Sequence, residues 1–264
     1  MYAWRKNIAS IAKAGFRVIA FDNRGFGFSD QPPTGYDNAA YTRLAVALLD
    51  SLRLVDAVLV GHSMGGAIAA EVAIEHPQRV RALVLINSAG LGAREPLLFR
   101  VVRWPIVGPL AAGLRGRGVT RRLLRSTYAD PTKVTEGDVD QYYAPVARAG
   151  YGRALRGVLR RFRLDALKEG GLDHVACPTL VLWGEHDRWI PLSLGRALAA
   201  GIPRSAFLIV PQAGHSVQEE APDEVNRLVI KFLMEGLPRA PGDLALTASP
   251  VLSFINHLVE KAAL

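Results

Sequence analysis

A serine set among glycines, in Gly61-His62-Ser63-Met64-Gly65-Gly66, is the strongest chemical signal in the chain. An apolar run, Val58-Leu59-Val60, leads into it and an alanine-rich stretch over residues 67–74 follows. The spacing predicts a strand, a tight turn and a helix. Such a turn projects the Ser63 hydroxyl away from the backbone, and glycines beside it permit an approach that side chains would block. The amide of Met64 then stands at the positive end of the helix, where negative charge developing on a carbonyl oxygen is stabilised. The chemistry on offer is nucleophilic attack by a serine on a carbonyl carbon.

Serine attacks poorly unless a base takes its proton. Of six histidines, His62 lies inside the turn and points elsewhere by strand alternation, and His76 ends the following helix. His174 and His257 sit in polar or tail contexts, and His186 adjoins the candidate acid. His215, in Gly214-His215-Ser216 just past the last apolar run, is the candidate base. The candidate acid is Asp187, which follows a strand-like run and the glycine turn Gly184-Glu185-His186-Asp187. There its carboxylate would orient the imidazole and stabilise it once protonated. Glu185 is the rival acid, nearer the strand end. The run ending at Ile86 is followed by Asn87 and Ser88, with no carboxylate.

These residues need a scaffold that delivers distant loops to one edge. Short runs rich in Val, Ile and Leu, at residues 17–21, 57–60, 82–86, 179–183 and 207–210, alternate with helical stripes such as Leu44, Leu48 and Leu52. That alternation predicts an α/β fold with a mostly parallel, buried sheet flanked by helices. It divides the chain into a first core part (1–90), a helical cap (91–174), a second core part (175–236) and a tail (237–264). Within the tail, Pro238, Pro241 and Gly242 read as a linker, and Val251, Ile255, Leu258 and Ala262 share one face of a short helix. Cap helices would cover the crevice at the carboxyl ends of the strands, where open α/β sheets bind ligands.

The 264 residues carry a formal charge of +8. Between residues 91 and 163, fourteen arginines and Lys133 face only Glu95, Asp130, Glu136, Asp138 and Asp140, an excess that outweighs the whole chain's. Arg153, Arg156, Arg160 and Arg163 fall on one helix face, with Leu155, Leu159 and Phe162 opposite. The plain reading is a lid with solvated arginines. The sharper one is a hydrophobic substrate bearing an anionic group, or contact with an anionic membrane surface. No aromatic-basic interleaving accompanies the charge, so nucleic acid is not an expected partner. The apolar stretch 97–114 is broken by Arg100, Arg103, Pro105 and Pro109, which argues against a spanning helix. Cys177 is the single cysteine, excludes an internal disulfide and fits a reducing compartment, so a cytoplasmic location is expected.

Taken together, these motifs resemble the α/β-hydrolase superfamily over about residues 4–233. Asp22-Asn23-Arg24-Gly25-Phe26-Gly27-Phe28-Ser29 resembles its Asp-x-Arg-Gly-x-Gly-x-Ser segment, and the order Ser63, Asp187, His215 is the order that fold uses. The texture around Ser63 and in Asn87-Ser88-Ala89-Gly90-Leu91-Gly92 is similar to esterases and carbon–carbon bond hydrolases of the group, while serine at 63 argues against the branches that place aspartate there. The resemblance implies a hydrolase with no metal or organic cofactor, acting on a small hydrophobic substrate. A carboxylic ester is the first expectation and a carbon–carbon bond in a diketone-like substrate the second. A non-catalytic ligand-binding protein is the third. The family's early strands and its His-Gly loop, which supplies a second oxyanion donor, have no counterpart here, so Met1 is expected to be internal to a longer reading frame. Loss of one such donor costs about 3–4 kcal/mol.

Overall fold

The computed structural model describes residues 1–113 and 115–235. Four parallel strands, β1 (Ala57–His62), β2 (Val80–Ile86), β3 (Thr179–Gly184) and β4 (Ser205–Val210), lie in the spatial order β1-β2-β3-β4. Registers pair His62 with Ile86, Ile86 with Leu182 and Gly184 with Val210, so all four carboxyl ends emerge at one edge. That edge carries Ser63, Asn87, Asp187 and His215.

The apolar runs of β2 and β3 are buried on both faces, as parallel strands require. Alternation sorts their side chains into two cores. Leu83, Leu85, Val181 and Trp183 face one side, which is covered by α2 (Asn38–Ser51), α3 (Met64–Glu75) and α9 (Leu192–Gly201). Ala82, Val84, Ile86, Leu180 and Leu182 face the other, against α11 (Pro222–Glu235) with Ile11 of α1 (Ile8–Lys13) beside it. Among the described residues between β2 and β3 there are five α-helices and no strand: α4 (Leu97–Arg103), α5 (Gly108–Ala111), α6 (Arg117–Ser126), α7 (Glu136–Val146) and α8 (Tyr151–Arg161). A Thr135/Asp138 capping box starts α7, and Leu124, Tyr128, Val134 and Val139 give this insertion a small core of its own. α10 (Val217–Glu220) is a single turn directly after His215. None of the described helices is long and apolar enough to cross a membrane.

One sequence expectation is corrected. Residues 17–21 form no strand and join no ladder, and among the described residues the sheet ends at β1 instead. A short apolar run is local information; it says nothing of whether a neighbouring strand exists to pair with it. Ile19 and Phe21 are consequently 40% and 43% exposed, with Val60 on β1 at 36%. On α8 and the residues that follow it Arg153, Arg160 and Arg163 are exposed, Leu155 and Leu159 are half-buried and Phe162 is buried, with Gly152, Ala154 and Val158 the buried positions of the helix itself. The tail expected over 237–264 lies outside the described residues.

Candidate active site

β1 ends in the turn that carries Ser63. Its φ of 53° and ψ of −122° place a non-glycine residue in sparsely populated backbone space. The turn is held from one side by β2. The Ser63 amide donates to the Ile86 carbonyl at 3.1 Å, and its carbonyl accepts from Ala89 at 3.0 Å. The two glycines that matter for packing are Gly61, where a Cβ would lie 2.3 Å from the Gly65 carbonyl oxygen, and Gly66, where it would lie 2.3 Å from Ser88 Oγ. Gly65 differs from that expectation, because a Cβ there meets nothing within 4 Å. Met64 opens α3, and the amides of a first helical turn have no intrahelical acceptor, so its N–H is available beside the Ser63 hydroxyl.

The three distant residues converge. Ser63 Oγ lies 3.0 Å from His215 Nε2, and His215 Nδ1 lies 2.9 Å from Asp187 Oδ2. His215 is 4% exposed and the Asp187 carboxylate is enclosed. A proton can therefore pass from hydroxyl to imidazole while the carboxylate fixes the ring's tautomer. Asp187 accepts three further bonds: Asn87 Nδ2 at 2.6 Å on Oδ2, and the amides of Trp189 and Ile190 at 2.7 and 2.9 Å on Oδ1. Burial pushes its pKa up, but His215, the Ile190 amide and Asn87 together outweigh it and hold the carboxyl below its ordinary value. The rival Glu185 is turned away, accepting from the Gln212 amide and lying 3.7 Å from His186.

Four residues support this constellation; Asn87, Trp189 and Glu220 were not among the site residues expected from the sequence, and His62 was expected only as part of the elbow. Asn87 bridges the strands, its amide nitrogen on Asp187 and its oxygen accepting from the Gly184 amide. His62, expected to point elsewhere, packs its ring 4.8 Å from that of His215, and its Nε2 meets the His215 carbonyl at 2.8 Å. The elbow bends the chain at the strand's end, so alternation fails there. Burial, and then the charge of His215, depress His62 to a pKa of about 3; a neutral ring facing a carbonyl must carry its proton on Nε2. Trp189 stacks on His215 at 5.5 Å and 12°, with Phe99 of α4 edge-on against it at 5.9 Å.

Glu220 is the fourth. Its buried carboxylate accepts the Gly214 amide at 2.7 Å and, from the insertion, the Ala129 and Asp130 amides at 3.0 and 2.8 Å. Ser216 also bonds Thr127 through both backbone and hydroxyl. The loop carrying His215 is thus fastened to the insertion on both sides of the histidine. A second polar link, Arg5 between Asp138 of α7 and buried Glu219, ties the insertion to the core from behind. Among the described residues no group of three His, Cys, Asp or Glu side chains is placed to hold a metal ion.

A family profile described as the alpha/beta hydrolase fold matches residues 1–222. The chain is similar to 2-hydroxymuconate semialdehyde hydrolase of Pseudomonas putida, 35% identical over 232 residues that cover 83% of this chain and 77% of that protein. It is similar also to 2-hydroxy-6-oxo-6-phenylhexa-2,4-dienoate hydrolase of Comamonas testosteroni, 32% identical over 251 residues covering 87% and 81%. Among solved structures, the meta-cleavage product hydrolase from Pseudomonas fluorescens IP01 superposes with a TM-score of 0.74 at 28% identity, covering 89% of this chain and 85% of that one.

Proposed function

The chain belongs to the α/β-hydrolase fold family, and from that premise we propose that it hydrolyses a carbon–carbon bond beside a ketone in an open-chain 2-hydroxy-6-oxodienoate. In this reading Ser63 is the nucleophile, His215 the general base and acid, and Asp187 the residue that orients it. What carries the reading is the pairing of the Ser63–His215–Asp187 contacts with relatives whose names describe that reaction.

The chemistry asks of this chain what its groups can do. A 2-hydroxy-6-oxo-2,4-diene is the enol of a 2,6-diketone, so ketonisation places a hydrogen on C5. Ser63 Oγ then adds to the C6 carbonyl as its proton moves to His215 Nε2, and the Met64 amide faces the oxyanion. Collapse breaks the C5–C6 bond. Its electron pair delocalises onto the C2 oxygen, and the imidazolium returns a proton to the leaving group. Water, deprotonated by His215, releases the acid from Ser63. Apart from the ketonisation and the stabilisation of the leaving carbanion, every step is shared with ester cleavage, which is why the motif alone pointed to esters. The relatives shift the choice to the carbon–carbon bond.

The test is turnover of 2-hydroxy-6-oxo-6-phenylhexa-2,4-dienoate, followed by loss of its chromophore and by release of benzoic acid, beside p-nitrophenyl esters. The dienoate should have the higher kcat/KM, and Ser63→Ala should lose about 10⁶-fold in kcat. A protein labelled at Ser63 by a fluorophosphonate that turns over esters and leaves the dienoate untouched overturns the carbon–carbon reading and returns the ester.

A further inference from the structure

We propose that the outer face of α4 and α5 is a docking surface for an anionic lipid bilayer. Leu97, Trp104, Ile106 and Leu110 are 71%, 63%, 85% and 78% exposed. Leu97 and Trp104, at the start and the C-terminal cap of α4, are seven residues apart and therefore on one face; Ile106 lies in the turn that follows and Leu110 on α5. Isolated exposed apolar side chains are ordinary, but four large ones within a single helical hairpin form a patch of the kind that marks an interaction site. The inner face of the same hairpin is spoken for: Val102 is buried and Phe99 packs on Trp189.

Charge decides what the outer face fits. Residues 94–115 and 151–161 hold eight arginines, and their one acidic residue is Glu95. Glu95 is already paired with Arg103. A cleft of about 290 Å³ beside α5 is lined by Arg115, Arg153 and Arg156 together with Pro109 and Ala112. None of these three guanidinium groups has a carboxylate partner among the described residues, and the same holds for Arg100 and Arg160. In the other half of the insertion pairing is denser: Arg117, Arg121 and Arg125 of α6 all pair with Glu136, and Arg117 with Asp140, while Arg122 and Arg148 have no carboxylate partner among the described residues. Unpaired cations bordering an exposed Trp, Ile and Leu cluster match the interfacial zone of a bilayer, where apolar side chains enter the acyl boundary and arginines meet lipid phosphates. A protein partner burying the same patch would need acidic groups to meet each arginine; an anionic bilayer supplies them at any lateral position. Docking would bring the bilayer to within one helix of the Phe99–Trp189–His215 stack, so that a sparingly soluble substrate enters from the lipid. The surface does not depend on which bond Ser63 cleaves.

The experiment is co-flotation of the full chain with vesicles of phosphatidylcholine alone or mixed with phosphatidylglycerol, read also by the difference in emission between wild type and Trp104→Phe. Binding should require phosphatidylglycerol, weaken with added salt and blue-shift the Trp104 contribution. Ile106→Asp should lower affinity at least about tenfold through lost apolar burial, and Arg153→Glu by about tenfold through lost charge. Both variants should keep wild-type turnover of soluble substrate, which shows that they fold. Equal binding to both vesicle types, or to neither, overturns the proposal. So does a concentration-dependent dimer that Ile106→Asp dissolves without any vesicle binding, which gives the face to a second copy. Trp104 emission already that of a buried indole before vesicles are added gives it to another part of the chain.

Discussion

On the β3–β4 side of the active site Asp187 accepts four hydrogen bonds and Glu220 three, whereas on the β1 side the sheet stops and Ile19, Phe21 and Val60 stand 36–43% exposed. Asp187 and His215, the proposed acid and base, are placed by directional bonds to groups on several elements. Ser63, the proposed nucleophile, sits in a strained backbone turn held through Ile86 and Ala89, with the His62 ring bonded to the His215 carbonyl. A strained turn persists where its surroundings over-determine it, and on the sheet side β2 and the loop after it carry that task. The two sides should therefore fail differently. Damage to the polar side should reduce the rate with the fold intact, and damage to the elbow should reduce stability first.

The largest expected effect tests the polar side. Asp187→Asn keeps the volume but offers the imidazole an amide, which favours the wrong tautomer, and kcat should fall about 10⁴-fold. The remaining amide oxygen can keep the two bonds at Oδ1, from the Trp189 and Ile190 amides, so the melting temperature should fall by less than the rate does, although the new NH2 group faces Asn87 Nδ2. Loss of folding in place of loss of rate would show that Asp187 is primarily a structural anchor. On the elbow side the glycines give an internal contrast. Gly61→Ala drives a Cβ against backbone and should cost about 3 kcal/mol in urea unfolding. Gly65→Ala, with open space around it in an α-helical first turn, should be neutral or stabilising by up to about 1 kcal/mol. Equal costs at the two positions would mean that the close approach at Gly61 is not what shapes the turn.

What the sequence revealed follows the same division. Ser63 was legible because a strained turn needs glycines at fixed offsets, and Asp187 and His215 because strand periodicity locates loop starts at the sheet's carboxyl edge. The partners of those groups were not legible. Asn87 was read as the absence of an acid, although its amide is what bridges Asp187 to Gly184. Glu220 binds only backbone amides, and backbone acceptors and donors leave no mark in residue types. Residues 17–21 were read as a strand because a short apolar run is local, while the ladder partner that makes a strand is not.

Glu220 sharpens the comparison by asking whether the base is positioned from the insertion. Glu220→Gln replaces one acceptor oxygen with an NH2 group that must face a backbone N–H, at a cost of about 1–3 kcal/mol. If the carboxylate positions His215, kcat should fall while KM is held, and Glu220→Asp should recover part of the rate. A variant that loses stability with kcat unchanged would make Glu220 a staple of the insertion alone.

The smallest effect concerns His62, whose ring lies where the two sides touch. Its folded pKa of about 3 is below the 6.5 of a free imidazole, so the unfolded chain takes up a proton first as pH falls. Stability from this group is complete above pH 6.5 and is lost as pH drops toward about 3, with a slope of at most about 1.4 kcal/mol per pH unit. Between pH 7 and pH 5 that amounts to at most about 2 kcal/mol. His62→Asn retains a donor for the His215 carbonyl and removes the titration. In urea unfolding at the two pH values the variant should therefore lose less stability than wild type, by up to that difference, even if it is the weaker protein at pH 7. Parallel losses in the two proteins would mean that the His62 ring accepts its proton in the folded state. The imidazolium would then sit against His215, and the polar side would carry a charge beside its base that the geometry assigns to neither.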